Sequence, residues 1–202
     1  MKPVAVLISG RGSNLQSLID AANDSYRIIL VISNVEGAGG LDKARDAGIA
    51  TAVIPHGGPS GEKKPREAFD AELDAALRAA GAELVVLAGF MRILSDGFVR
   101  GWEGKLINIH PSLLPAYRGT KVHERVLAAG ETTSGASVHF VVPELDAGPV
   151  ISQASVPVHP GDTPETLADR VLAAELGLYP DALKLLAGEK VRLESNTAVF
   201  TA

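Results

Sequence analysis

An α/β fold built on a doubly wound, mostly parallel sheet is what this sequence predicts, and three observations predict it. Short runs nearly continuous in Val, Ile and Leu recur through the first half, as strands covered on both faces require. Amphipathic stretches alternate with them, carrying apolar residues three and four apart. Past the midpoint two longer strand-like runs meet across a short connection, which adds an antiparallel strand pair toward the C-terminal half. Strand and helix alternating in this order make a Rossmann-like pattern.

Taken in order, VAVLIS (Val4 to Ser9), RIILVIS (Arg27 to Ser33), TAVIP (Thr51 to Pro55), ELVVLAG (Glu83 to Gly89) and KLINI (Lys105 to Ile109) read as the buried strands. NLQSLIDAA after the first and Leu41 to Ala47 after the second read as helices. In PREAFDAELDAALRAAG, Phe69, Leu73, Ala76 and Leu77 share a face, Pro65 suits the first turn and Gly81 the C-terminal cap. GASVHFVV and PVISQASVPV are the antiparallel pair, joined through PELDAG. DTPETLADRVLAAELGLYPDALKLLAG is a long helical pattern. Asp162 is its expected cap with Glu165 three residues on, and Pro180 is expected to kink or interrupt it. HGGPSGEKKP (His56 to Pro65) reads as a loop, and the tail after Gly188 has room for a short hairpin.

Composition narrows the functional classes. With 202 residues, 46% of them hydrophobic and 21% charged, the chain has the make-up of one ordered globular domain. A net charge of −5 argues against a general nucleic-acid footprint, which needs a basic excess. The absence of Cys rules out disulfides, thiolate metal sites and Cys nucleophiles, and no histidines stand at metal-ligand spacing. No apolar run approaches a membrane span, and MKPVAVLISGRGSN lacks a secretory pattern, so the expectation is a soluble, cytoplasmic protein with no membrane partner.

Four segments carry chemistry. GRGSNL (Gly10 to Leu15) sits where the first strand turns into the first helix. Glycines there let backbone approach a ligand, and the helix start offers free N–H groups to an anion. Leu15 stands where a dinucleotide fingerprint needs its third glycine, and the second strand ends on Ser33-Asn34 without an acid, which favours a single phosphate. The bland alternative is a plain turn capped by Ser13. AGFMRIL (Ala88 to Leu94) places an apolar run with one Arg at the carboxyl edge of the sheet, where such folds bind ligands. In LINIHPSLLPAYRG, Asn108 and His110 lie two apart on a strand and so point to one side, while Pro111 keeps His110 extended. An amide able to donate to an oxyanion, beside a group that titrates near neutrality, suits acyl transfer to an amine. In ELDAGPV, Asp146 occupies a turn in which Gly148 is expected to supply a positive φ. Arg66 and Glu175 read by default as solvated charges on helices.

Together, ISGRGSNLQ, VLAGFMRIL, INIHPSLLPAYRG and SVHFVVPELDAGPVI resemble the folate-dependent formyltransferases, and GSN behind the first strand points to their ribonucleotide branch, the phosphoribosylglycinamide formyltransferases of purine synthesis. The resemblance runs from Val4 to about Leu186. It implies one formyltransferase domain over 1–202, with a nucleotide-binding half at about 1–100 and a folate-binding and catalytic half at about 83–188. It implies that Asn108, His110 and Asp146 are the catalytic trio. Gly12, Ser13, Asn14 and Glu175 would bind the ribonucleotide. Arg66, Met91, Arg92, Ile93, Leu94, Asn108 and Leu145 would bind 10-formyltetrahydrofolate as formyl donor, with no metal. The implied partners are these small molecules alone, for a monomer or homodimer. Two positions depart from some members of the family, Ala147 where they carry Gly, and AYRG after LLP where they carry variants such as KYPG.

Overall fold

The computed structural model of the chain describes residues 1–22, 24–57 and 64–201. Strands β1 (Lys2–Ile8), β2 (Tyr26–Ser33), β3 (Ala50–Val53), β4 (Leu84–Leu87), β5 (Leu106–His110), β6 (Thr133–Phe140) and β7 (Val150–Pro157) form one sheet in the order β3-β2-β1-β4-β5-β6-β7. Pairing is parallel from β3 through β5 and antiparallel for β5 with β6 and β6 with β7. The doubly wound, Rossmann-like class is therefore the one observed.

The near-continuous apolar strands follow from two-sided burial. On β1, Val4, Val6 and Ile8 enter one core with α1 (Ser13–Asp20), α2 (Gly39–Asp46) and the long α6 (Pro164–Ala187). Ala5 and Leu7 enter the other with α3 (Arg66–Ala79) and α4 (Asp96–Gly101). The short α5 (Val122–Ala128) packs with α6 in a third cluster. Because β1 has β2 on one side and β4 on the other, the chain changes direction of winding at β1, and a crevice opens beyond the carboxyl ends of these strands. Tyr179 on α6 spans that point. Fully buried, its hydroxyl is shared between the carbonyls of Leu87 (2.9 Å) and Ile107 (3.2 Å), pinning the helix across β4 and β5. Burial holds its phenol well above the ordinary range.

Local expectations are corrected in four places. α6 runs unbroken through Pro180, because Tyr179, Ala182, Leu183 and Leu186 are all anchored in one core, and the lost N–H bond falls to Leu176 on the exposed side. Its cap is Thr163, in a reciprocal box with Thr166, and not Asp162. Asp162 instead grips Arg170 at 2.7 and 2.9 Å and accepts the His159 N–H, and these contacts, Arg170 first, hold its carboxyl well below the usual carboxylate range. Ser13 does not cap α1, whose N-cap is Gly12. Gly148 is not the positive-φ residue of its turn; Asp146 is, at φ 50°. The tail forms the short hairpin β8 (Val191–Glu194) and β9 (Thr197–Phe200). Most of the His56 to Pro65 loop, residues 58–63, lies outside the described residues.

Candidate active site

Alternation along β5 decides which groups reach the crevice. Ile107 and Ile109 belong to the core beneath α6, so Asn108 and His110 project from the opposite face. On β6, antiparallel to β5, Asn108 sits across from His139 and His110 across from Ser137. The hairpin connection from Val141 to Pro149 then folds back over that face and carries Asp146 to the two strands. Gly148 permits this return. A Cβ there would run into the Phe140 carbonyl, so the requirement is close backbone approach and not turn conformation.

Four side chains converge as a result. His110 Nδ1 lies 3.4 Å from Asp146 Oδ2, and its Nε2 is 2.9 Å from the Tyr117 carbonyl. A carbonyl only accepts, so Nε2 carries a proton, and Nδ1 is the nitrogen left to exchange one beside the carboxylate. Asp146 also accepts the Gly119 N–H at 2.8 Å. His139 donates from Nδ1 to the Phe140 carbonyl (2.8 Å), which leaves its Nε2 to accept from Asn108 Nδ2 at 3.2 Å. Burial lowers the His139 pKa and keeps the ring neutral, in the tautomer this bond needs. The Asn108 amide is thereby oriented, with its second N–H still available. Asp146, His110 and His139 side chains are each less than a tenth exposed. In such surroundings each polar contact counts for more than it would in water.

At the neighbouring end of β1, Gly12 has φ 74°, and a Cβ on it would stand 2.6 Å from Gly40 Cα, so two helix starts meet there through glycine alone. Ser13 and Asn14 open α1. Asn14 Nδ2 donates to Glu175 Oε2 at 2.8 Å, and Asn14 Oδ1 is buried without a protein partner. Glu175 is thus no solvated charge. Burial raises its pKa, and the Asn14 bond opposes that shift. Asn14 and Glu175, two of the residues expected at the ribonucleotide, thus meet across 161 positions of sequence.

The expected folate residues divide by role. Met91, Ile93 and Leu145 are 80%, 58% and 53% exposed, large apolar side chains left facing solvent. Leu94 is buried in the α3–α4 core and anchors the segment. Arg66 is exposed at the start of α3. The Arg92 guanidinium reaches the carbonyls of Lys64 (2.9 Å) and His56 (3.4 Å) through its Nη atoms and lies 4.2 Å from the Phe69 ring centroid, while its Nε is buried without a partner. Ala147 donates to the Glu144 carbonyl (3.3 Å) within the same turn. Sequence reasoning assigned no role to His139. Its signal was its place in SVHFVV, which becomes informative only once β6 is registered against β5.

Among the described residues no group of His, Asp and Glu is placed to hold a metal ion, and no helix is long and apolar enough to cross a membrane. Residues 2–183 match the formyl transferase family model. The chain is 45% identical over 198 residues to phosphoribosylglycinamide formyltransferase of Escherichia coli (strain K12), covering 96% of this chain and 92% of that protein. It is 53% identical over 196 residues to the trifunctional purine biosynthetic protein adenosine-3 of Bos taurus, covering 96% of this chain but 19% of that protein, so it spans about a fifth of that relative's length. Among solved structures, phosphoribosylglycinamide formyltransferases from Coxiella burnetii (46% identity, TM-score 0.91, 98% and 93% of the two chains covered) and Anaplasma phagocytophilum (45%, 0.90, 100% and 95%) share the fold.

Proposed function

The chain belongs to the formyl transferase family, and from that premise we propose that it moves a formyl group from 10-formyltetrahydrofolate to the amine of N1-(5-phospho-D-ribosyl)glycinamide, a step of purine synthesis. The observation that carries this reading is the convergence of Asn108, His110 and Asp146, with Met91 and Ile93 exposed past the end of β4, Leu145 exposed beside Asp146, and the Gly12 to Asn14 helix start past the end of β1. The apolar group suits the flat ring system of a folate, and the helix start suits a phosphate.

In the proposed mechanism the amine nitrogen bonds to the formyl carbon and the bond from that carbon to N10 breaks. The amine loses one proton and N10 gains one. Asn108 donates its free N–H to the formyl oxygen as that oxygen takes up negative charge. His110 holds a proton on Nδ1, adds positive charge to the same region and passes a proton toward N10. Asp146 stabilises the protonated ring and receives the proton of the attacking amine, directly or through a water. Gly12, Ser13 and Asn14 hold the phosphate with backbone N–H groups, and Glu175 accepts from the ribose. Arg66 also binds the folate donor, the backbone of Met91 to Leu94 with Leu145 holds its ring, and Asn108 belongs to the folate site as well as to the trio. No metal enters.

The same proposal includes one domain over 1–202 with a nucleotide half and a folate half, small-molecule partners only, a cytoplasmic location, and a monomer or homodimer. The test supplies the formyl-folate with the ribonucleotide, with methionyl-tRNA, or with water alone, and follows deformylated folate. Turnover with the ribonucleotide alone is expected; turnover in water or on the tRNA alone refutes the assignment. The dephosphorylated ribonucleoside is expected to bind poorly, and equal affinity for it would remove the phosphate from Gly12 to Asn14.

A further inference from the structure

We propose that Ser9 and Asn34 are positioning residues that fix the separation between the nucleotide loop and the folate-facing segment, and with it the alignment of the two reactants. The inference rests on the function proposed above. Ser9 stands between β1 and Gly10. Its Oγ donates to Asn34 Oδ1 at 2.5 Å and accepts the backbone N–H of Met91 at 2.7 Å. Asn34, 3% exposed beyond the end of β2, also places its Nδ2 3.2 Å from His56 Nδ1. The His56 carbonyl takes Arg92 Nη1 at 3.4 Å, and Arg92 leads back along the chain to Met91. Ser9, Asn34, His56, Arg92 and Met91 therefore close a ring of polar contacts.

The ring lies where the sheet no longer helps. β1 and β4 pair from Val4 with Leu84 to Leu7 with Leu87, and beyond them two backbone bonds follow, from Ala88 N to the Leu7 carbonyl (2.9 Å) and last from Ser9 N to the Gly89 carbonyl (3.0 Å). Past that bond the two loops diverge, one into Gly10 to Asn14 and the other into Met91 to Leu94, and the Ser9 hydroxyl is the side-chain atom that ties them. A buried amide that loses a partner bears the full desolvation cost of that group, so the ring resists drift. Asn34 also stands where the dinucleotide-binding pattern expects an acid. Here that position is turned inward to hold the loops and not outward to a ribose. Alignment matters because reacting atoms misplaced by about 1 Å cost on the order of 10²-fold in rate.

The test compares Ser9→Ala, Asn34→Ala and Ser9→Thr with the unaltered chain. Steady-state kinetics are run in both substrates, with thermal melts and exchange of the Met91 amide measured beside them. Ser9→Ala and Asn34→Ala are expected to lower kcat about ten- to hundredfold. The ribonucleotide KM should stay within about threefold and the melting midpoint within ~3 °C. Ser9→Thr, which keeps the hydroxyl, is expected to recover most of kcat, and Ser9→Ala to speed Met91 amide exchange at least about tenfold. Unchanged kcat in Ser9→Ala overturns the proposal, as does a loss of rate no larger than the loss of folded protein. An unaltered chain that transfers no formyl group overturns the assigned reaction instead. Amide exchange then judges the ring by itself, and an unchanged Met91 rate overturns it.

Discussion

The two edges of the sheet treat polar groups in opposite ways. At the amino edge a cavity of about 360 Å³ is lined by Lys2, Glu83, Lys105, Glu189 and Arg192 among others. Lys2 reaches Glu189 at 2.9 Å and Glu83 at 3.3 Å, while Arg192 holds Glu194, so these charges are satisfied by one another at the surface. At the carboxyl edge Ser9, Asn34, Asn108, His110, His139 and Glu175 are wholly or partly withdrawn from water, and Asn14 Oδ1 is buried there without a protein partner. The comparison teaches that a cavity lined by paired surface charges is a poor guide to chemistry in this molecule. Oriented polar groups held out of water, at a cost the fold has to offset, are the better one.

The steepest way to break the comparison is at the carboxyl edge itself. Asn108→Ala and His110→Ala are each expected to lower kcat by about 10² to 10⁴ with nucleotide affinity largely kept, read by steady-state kinetics and direct binding. Asp146→Asn should fall in the same direction with its melting curve preserved; near-normal turnover in any of the three removes that residue from the trio. Gly148→Ala comes next. Its new Cβ meets the Phe140 carbonyl, so the turn must shift and carry Asp146 with it, and a loss on the order of 10²-fold in kcat is expected. His139→Gln should cost about tenfold in kcat, because the Asn108 amide loses the partner that orients it.

The same variant carries a pH signature. His139 has a pKa below the ordinary histidine value of 6.5 because it is buried, so below 6.5 the unfolded chain takes up a proton that the folded chain refuses. Its contribution to stability is complete above 6.5 and is lost as pH falls. Melts between about pH 7.5 and about pH 5 should therefore show a shallower acid decline in His139→Gln than in the unaltered chain. The smallest effect belongs to the amino edge: Glu189→Gln breaks an exposed ion pair and should leave kcat unchanged and the midpoint within ~2 °C. A large loss of activity there would erase the distinction between the edges.

How much was legible in the sequence follows from the range of each interaction. Strand runs, the helix faces of Phe69, Leu73 and Leu77, and the hairpin of β6 and β7 are set by neighbours within a few positions, and they stand where the pattern placed them to within a few residues. The capping of α6 was missed by one residue because Asp162 had a better use. Arg170, eight positions on, offers two charged hydrogen bonds, and Thr163 with Thr166 was free to close the helix. The interruption expected at Pro180 failed for a related reason, since burial of residues on either side outweighs one lost backbone bond.

By itself the sequence determined the fold class and which residue types arrive at the carboxyl ends of β1, β4 and β5, since periodicity and the positions of Gly and Pro are local properties of a chain. The tertiary structure alone decided what those residues meet. His139 became the partner of Asn108 through the register of two antiparallel strands, and Asp146 reached His110 because a glycine lets its turn fold back over the sheet. Glu175 changed from a solvated helix charge to a buried carboxyl when α6 packed on α1. Each of these joins positions tens of residues apart, or far more, and a contact of that range exists only once the whole sheet is assembled.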